Sequence, residues 1–257
     1  MPKIYLSPAM HRWNPCAIEG MDETTENNAY CDRLEPYLAA CGFAVRRGVR
    51  RTPKSDEDGN AIMIQNVRES NEFGADLHYV SHTNAADGTV RGYRPIIYPT
   101  DNADGERLAA ILLQKRSQIY DGPIQLDRRS DLYELSHTNA VAYYEEHVFH
   151  DNYNDDLWFH ENMEQIARKT AEGICEYFSV PFVDPYAEGK PPDSDPGSDS
   201  HPKPPVEPPP EPGTGSTPQP EPQPETPVPP SADPPPKPFW LALLQGIIRL
   251  FTRLFQK

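Results

Sequence analysis

The chain breaks sharply at Pro181. From there to Pro238 the residues Pro, Glu, Asp and Ser recur without pause, and most of the chain's 31 prolines fall in this stretch. Proline fixes its own backbone angle and offers no N–H, and a polar acidic run has too little apolar surface to offset the entropy of ordering it. The stretch therefore reads as a disordered, extended linker, able to reach on the order of 150 Å at about 3.1 Å per residue. Nearly all apolar and aromatic residues precede it, apart from a last short apolar run. The expected layout is one folded domain over 1–180, an acidic proline-rich linker over 181–238 and a terminal segment over 239–257.

Within 1–180, strand and helix patterns alternate. Lys3 to Ser7 is a short apolar run stopped by Pro8, and Ala9 to Gly20 must leave it as a loop. Asp22-Glu23-Thr24-Thr25 opens a helix, with Thr24 and Thr25 as caps, whose apolar positions Tyr30, Leu34, Tyr37, Leu38 and Cys41 recur at helical spacing up to Gly42. Phe43 to Arg47 is a strand, Lys54 to Gly59 a polar loop, and Ile62, Ile64, Val67 and Phe73 a helix ending near Gly74. Leu77 to Val80 runs as a strand into Ser81-His82-Thr83-Asn84, and Tyr93 to Tyr98 is another. Leu108 to Ile119 reads as helix, Leu132 to Leu135 and Val141 to Tyr144 as short strands, and Trp158 to Phe178 as a closing helix. This alternation predicts an α/β fold: a twisted, mainly parallel sheet flanked by helices on both faces, followed by the disordered linker and one C-terminal amphipathic helix. In such a fold the carboxyl ends of the strands gather on the edge where ligands bind.

A net charge of −15 argues against a nucleic-acid partner, because affinity for phosphates comes from Lys and Arg. The four cysteines, Cys16, Cys31, Cys41 and Cys175, show no CxxC or zinc-finger spacing, and Cys31 and Cys175 fall in helical patterns as small core residues. No charged and apolar leader follows Met1, so the expectation is synthesis in the cytoplasm without a signal peptide.

Three strand-end or helix-start positions carry the residue types of a catalytic zinc centre: His11, Glu23 and His82. Two imidazoles and a carboxylate leave a fourth tetrahedral position for water, and Glu146 is the candidate carboxylate to exchange that water's proton. Spacing alone also accommodates a loop histidine at His11, a helix-terminal charge at Glu23 and a surface carboxylate at Glu146, because the residues form no local motif such as HExxH. Met10 competes with His11 for the first position, and Glu26, one helical turn on, competes with Glu23. Glu145 precedes Glu146, and in a strand only one of the two can face the metal. His78 reads as structural, His137, His147 and His150 as flanking the glutamate strand, His160 and His201 as surface and linker residues, and Arg128 and Arg129 as solvated loop charges.

The order of these segments resembles the zinc-dependent N-acetylmuramoyl-L-alanine amidases of the type-3 family, from Lys3 to about Phe178. Lys3-Ile4-Tyr5-Leu6-Ser7-Pro8 followed by His11 is similar to that family's first strand and first zinc histidine, here with Ala9-Met10 in place of a Gly-rich turn. Glu23 falls where the family places its zinc glutamate. Ser81-His82-Thr83-Asn84-Ala85 is similar to its histidine-small-Asn-Ala segment. Thr138 to Glu146, continuing to Phe149-His150-Asp151-Asn152, resembles the strand of its catalytic glutamate and puts that role on Glu146. The resemblance implies Zn2+ as cofactor, peptidoglycan as substrate, and hydrolysis of the amide between N-acetylmuramic acid and L-alanine at the cell wall, as in a phage-type lysin or a host enzyme.

The last segment, 239–257, sets Trp240, Leu241, Leu244, Ile247, Ile248, Phe251, Leu254 and Phe255 on one helical stripe against Gln245, Arg249, Thr252, Arg253 and Gln256. It is too short to span a bilayer comfortably and suits a membrane surface, or self-association through the same stripe. Two other function classes remain open on sequence: a related zinc peptidase acting on free peptides, and a non-catalytic wall-binding or scaffold protein.

Overall fold

The computed structural model describes residues 1–187. The rest of the linker and the 239–257 amphipathic helix expected from sequence lie outside the described residues. Six strands, β1 (Lys3–Pro8), β2 (Ala44–Arg47), β3 (Leu77–Asn84), β4 (Arg94–Ile97), β5 (Asp127–Arg128) and β6 (Val141–Phe149), form one sheet in the order β2-β1-β3-β6-β4-β5. Neighbours are parallel except β4 and β6, which run antiparallel. Five helices connect them: α1 (Glu23–Ala40), α2 (Asp56–Phe73), α3 (Ala103–Arg116), α4 (Tyr133–Ser136) and α5 (Tyr153–Phe178). The α/β class and the mainly parallel sheet are as the alternation predicts.

The period-2 pattern of the central strands sorts their side chains between two faces. Ile4, Leu6, Leu77, Tyr79 and Tyr143 point into the larger core, where α1, α3 and α5 bring Leu34, Leu112, Phe159 and Ile174 against them. Val80, Ala142 and Tyr144 point the other way into a smaller cluster with Leu135 of α4. Cys31 and Cys175 are buried in the larger core as expected, and all four cysteines are free. Each CH2 buried there contributes about 0.8 kcal/mol, so the larger face dominates stability and the smaller one is left to polar groups.

Several local readings change. Asp22, rather than Thr24 or Thr25, caps α1, its carboxylate accepting from Thr25 N at 2.9 Å. The polar stretch after Lys54 is not all loop: Ser55 caps α2, and Asp56, Glu57 and Asp58 occupy its first turn, where acidic side chains suit the positive helix end. Ile64 is 47% exposed, so the buried stripe of α2 runs through Ile62 and Val67 without it. Leu132–Leu135 is not a strand. Its residues enter the single helical turn α4, since a short apolar run does not distinguish a strand from a buried turn. Strand β6 continues through Glu145 and Glu146 to Phe149, with a register shift against β3 beyond His82. Past Val180 the chain stays on the domain: Phe182 stacks on Tyr37 and Asp184 pairs with Arg168 at 3.1 Å. Among the described residues, no helix is long and apolar enough to cross a membrane.

Candidate functional site

The carboxyl ends of β1, β3 and β6 meet the start of α1 at one edge of the sheet. Ala9 N donates to Ser81 O at 2.8 Å, which extends the β1–β3 pairing by one residue and fixes where the loop carrying His11 departs. That loop returns to α1 through Asn14, whose backbone carbonyl accepts from Glu23 N at 3.1 Å and whose side chain donates to Glu23 Oε2 at 2.8 Å. The other oxygen, Glu23 Oε1, lies 2.8 Å from His82 Nδ1. The rings of His11 and His82 stand 5.4 Å apart, and His82 stacks on Tyr144 at 4.5 Å. His82 is paired with Glu146 in the β3–β6 register, and paired residues of parallel strands share a face.

These contacts show where each of the alternatives that sequence leaves open lies. Met10 is buried, while His11 is half-buried and faces His82. Glu23, not Glu26, meets His82; Glu26 lies beside Cys16 and Asp156 instead. Glu146 shares the face of His82, whereas Glu145 points into the larger core, where Arg116 of α3 donates to it at 2.9 Å. His78 is structural, stacked on Tyr5 and 3.2 Å from Glu134. Its neighbours in the sequence reading divide. His147 is buried between Arg116 and Ser81, His150 lies 2.9 Å from Thr83 Oγ1, and His137 is exposed and stacked on Tyr133. Arg128 and Arg129 make surface ion pairs with Glu106 and Asp131.

The electrostatics follow from burial and proximity. Burial alone would raise the Glu23 carboxyl, but the hydrogen bond and charge of His82, with His11 and Asn14, outweigh it and hold the group low. His82 is the converse: burial would lower it, and Glu23 raises it. His11 is lowered, by burial and then by the charge of His82. Burial also pushes Glu146 up to about 7, against the pull of His82. Its Oε2 is buried and without a hydrogen-bond partner.

Two imidazoles and a carboxylate are a donor set that a divalent zinc ion accepts. The residues fit that ion chemically, although they are loosely arranged. Among the described residues, the set of three whose donor atoms all lie within 4.8 Å of one another is Cys16, Glu26 and Asp156. Beside His11 and His82 opens a cleft lined by Ser7, Met10, Glu134 and Tyr144. Glu134 is a feature that sequence reading missed: it is buried under the cleft, accepts from Ser7 Oγ at 2.5 Å, and falls in the segment misread as a strand. A carboxylate among Leu132, Tyr133 and Leu135 is the signal that would have marked it.

The sequence profile of the type-3 N-acetylmuramoyl-L-alanine amidases (Amidase_3) matches residues 4–176. The chain belongs to this family, and its enzyme class is that of the cell-wall amidases. Solved structures agree on the fold. The CwlD amidase of Clostridioides difficile, solved in complex with the GerS lipoprotein, is 19% identical with a TM-score of 0.59, over 70% of this chain and 99% of its own. The catalytic domain of CwlV from Bacillus (Paenibacillus) polymyxa var. colistinus is 16% identical with a TM-score of 0.58, over 70% and 100%. The catalytic domain of an endolysin targeting Clostridia difficile is 21% identical with a TM-score of 0.56, over 68% and 98%. No curated protein matches the sequence.

Proposed function

We propose that the protein hydrolyses the amide between the lactyl group of N-acetylmuramic acid and the L-alanine of the peptidoglycan stem, with zinc held by His11, Glu23 and His82 and with Glu146 as general base. The observation that carries this reading is the convergence, at one sheet edge, of two histidines and a buried carboxylate with Glu146 in register beside His82.

When bound, zinc would polarise the scissile carbonyl and acidify a water molecule. The chain's own residues do the rest. Asn14 orients the Glu23 carboxylate, and Tyr144 fixes the plane of the His82 ring from below. Glu146 takes the proton of the attacking water on its unpartnered oxygen and passes it to the departing nitrogen of L-alanine. A carboxyl raised toward neutrality by burial suits both halves of that exchange.

The test is muropeptide release from purified peptidoglycan by the full-length protein, wild type beside Glu146→Gln, with zinc content measured on both. Wild type is expected to free L-alanine amino termini, and the variant to retain zinc while losing about 10²- to 10⁴-fold in rate. Release from soluble peptides lacking the sugar would move the assignment to a zinc peptidase. Binding of muropeptides without cleavage by either protein would make the domain a wall-binding module.

A further inference from the structure

One side of α1 faces the site just described; a neighbouring turn of the same helix faces a second group of potential ligands. Glu26 is fully buried, Asp156 of the first turn of α5 is fully buried, and Cys16 of the β1–α1 loop is half-buried. One ligand atom from each lies within 4.8 Å of the other two. Neither carboxylate oxygen of Glu26 has a hydrogen-bond partner, and Asp156 Oδ1 has none either. Asp156 Oδ2 accepts from Ile18 N at 2.9 Å. Buried polar atoms are almost always paired, so three orphaned oxygens on two carboxylates beside a thiol call for a partner.

We propose that Cys16, Glu26 and Asp156 form a second divalent-metal site, separate from His11, Glu23 and His82, that takes zinc or a similarly borderline-soft transition ion. The sulfur donor selects against magnesium and calcium, which take oxygen ligands, and three protein donors leave a fourth tetrahedral position for water. A tetrahedral zinc sets neighbouring oxygen and sulfur ligands about 3.3 to 3.5 Å apart, so the cluster need close by at most about 1.5 Å around the ion. Without a cation, burial raises Glu26 to about 9 and raises Asp156 and the Cys16 thiol as well, so metal entry displaces protons. The ion would brace the loop that carries His11. That loop is already tied to the β6–α5 turn through Ala17 N donating to His150 O at 2.7 Å, and to the first turn of α5 through the Ile18 bond to Asp156.

The inference does not use the metal assignment of the first site, and one spectroscopic property separates the two. His11, Glu23 and His82 offer no sulfur, whereas Cys16 gives bound cobalt(II) a sulfur-to-metal charge-transfer absorption in the near ultraviolet. Cobalt(II) titrated into metal-free full-length protein is expected to produce that band, complete by two equivalents per chain, one for each site. The band should be lost in Cys16→Ser and in the nearly isosteric Glu26→Gln, and kept in His82→Ala, with circular dichroism confirming that each variant is folded. If the first site were misassigned, the sulfur band would still appear. Cobalt binding with no sulfur band in the wild type, or a band that survives Cys16→Ser, overturns the proposal and leaves Glu26 as an acid sharing its proton with Asp156.

Discussion

Replacing Gly59 by alanine tests whether α2 positions the loop that carries His11. Gly59 lies in the first turn of α2, and a Cβ built on it would fall 2.6 Å from the backbone carbonyl oxygen of Met10, the residue before His11. Ordinary carbon–oxygen contacts are about 3.3 Å or longer, so helix and loop must part by roughly 0.7 Å. The obstacle is backbone and cannot rotate away. The loop is also held at its start, by the bond from Ala9 N to Ser81 O. Overpacking of this kind costs about 1–3 kcal/mol, and alanine returns up to about 1 kcal/mol through better helix propensity. The net loss is about 1–2 kcal/mol, a fall of roughly 2–8 °C in melting temperature for a domain of this size. Moving Met10 moves His11, so zinc affinity should fall by about tenfold, as it does when support for a ligand is disturbed. Calorimetry and competitive chelator titration read the two effects separately. Gly173→Ala is the control, because its Cβ would meet only side chains of α3, Leu112 Cδ2 first at 2.6 Å, and neither helix lines the cleft. A Gly59→Ala protein as stable as wild type, binding zinc equally well, would refute the close-approach argument.

Three further outcomes follow from the buried charges. Arg116→Met should destabilise by about 3–5 kcal/mol in urea unfolding, because it strands Glu145 in the core, and adding Glu145→Met should recover most of the loss. Chelation should lower the melting temperature more at pH 8 than at pH 5.5. The raised His82 stabilises the metal-free fold fully below the unfolded histidine value and loses that contribution as pH climbs through the folded one, whereas metal binding has no such proton to keep. In chelated protein, Glu26→Gln should raise the melting temperature at pH 8 and much less at pH 4.5. A carboxyl whose pKa is raised to about 9 favours the fold below its unfolded value and works against it progressively above, and the amide carries no such dependence.

How much of this was legible beforehand depends on whether the deciding interaction is local. Strand alternation places His82 at a strand end, and the same period of two says that only one of Glu145 and Glu146 reaches its face. Which one it is depends on the β3–β6 register, a long-range fact that neither strand contains. The choice between Glu23 and Glu26 is of the same kind. Both lie on the α1 face that sequence assigns to the site, and they separate only because Asn14 and His82 close on one while Cys16 and Asp156 close on the other.

Misread segments share a physical cause. Leu132–Leu135 has an apolar run too short to show a period, and the acids before Gly59 have the polarity of a loop although they are first-turn charges on a helix. Both segments border the cleft: α4 contributes Glu134, and α2 contributes Gly59, against which the His11 loop is packed. Of the proposed set, His82 and Glu146 stand on strands, where pattern is strong, but the surroundings include a four-residue helix and a glycine contact, where pattern is weak. Resemblance could therefore carry His11, Glu23, His82 and Glu146 onto this chain. The residues that set how tightly those four are held, Asn14, Gly59 and Tyr144, emerge only when the elements are packed together, and it is on them that differences between this chain and its relatives in metal affinity should fall.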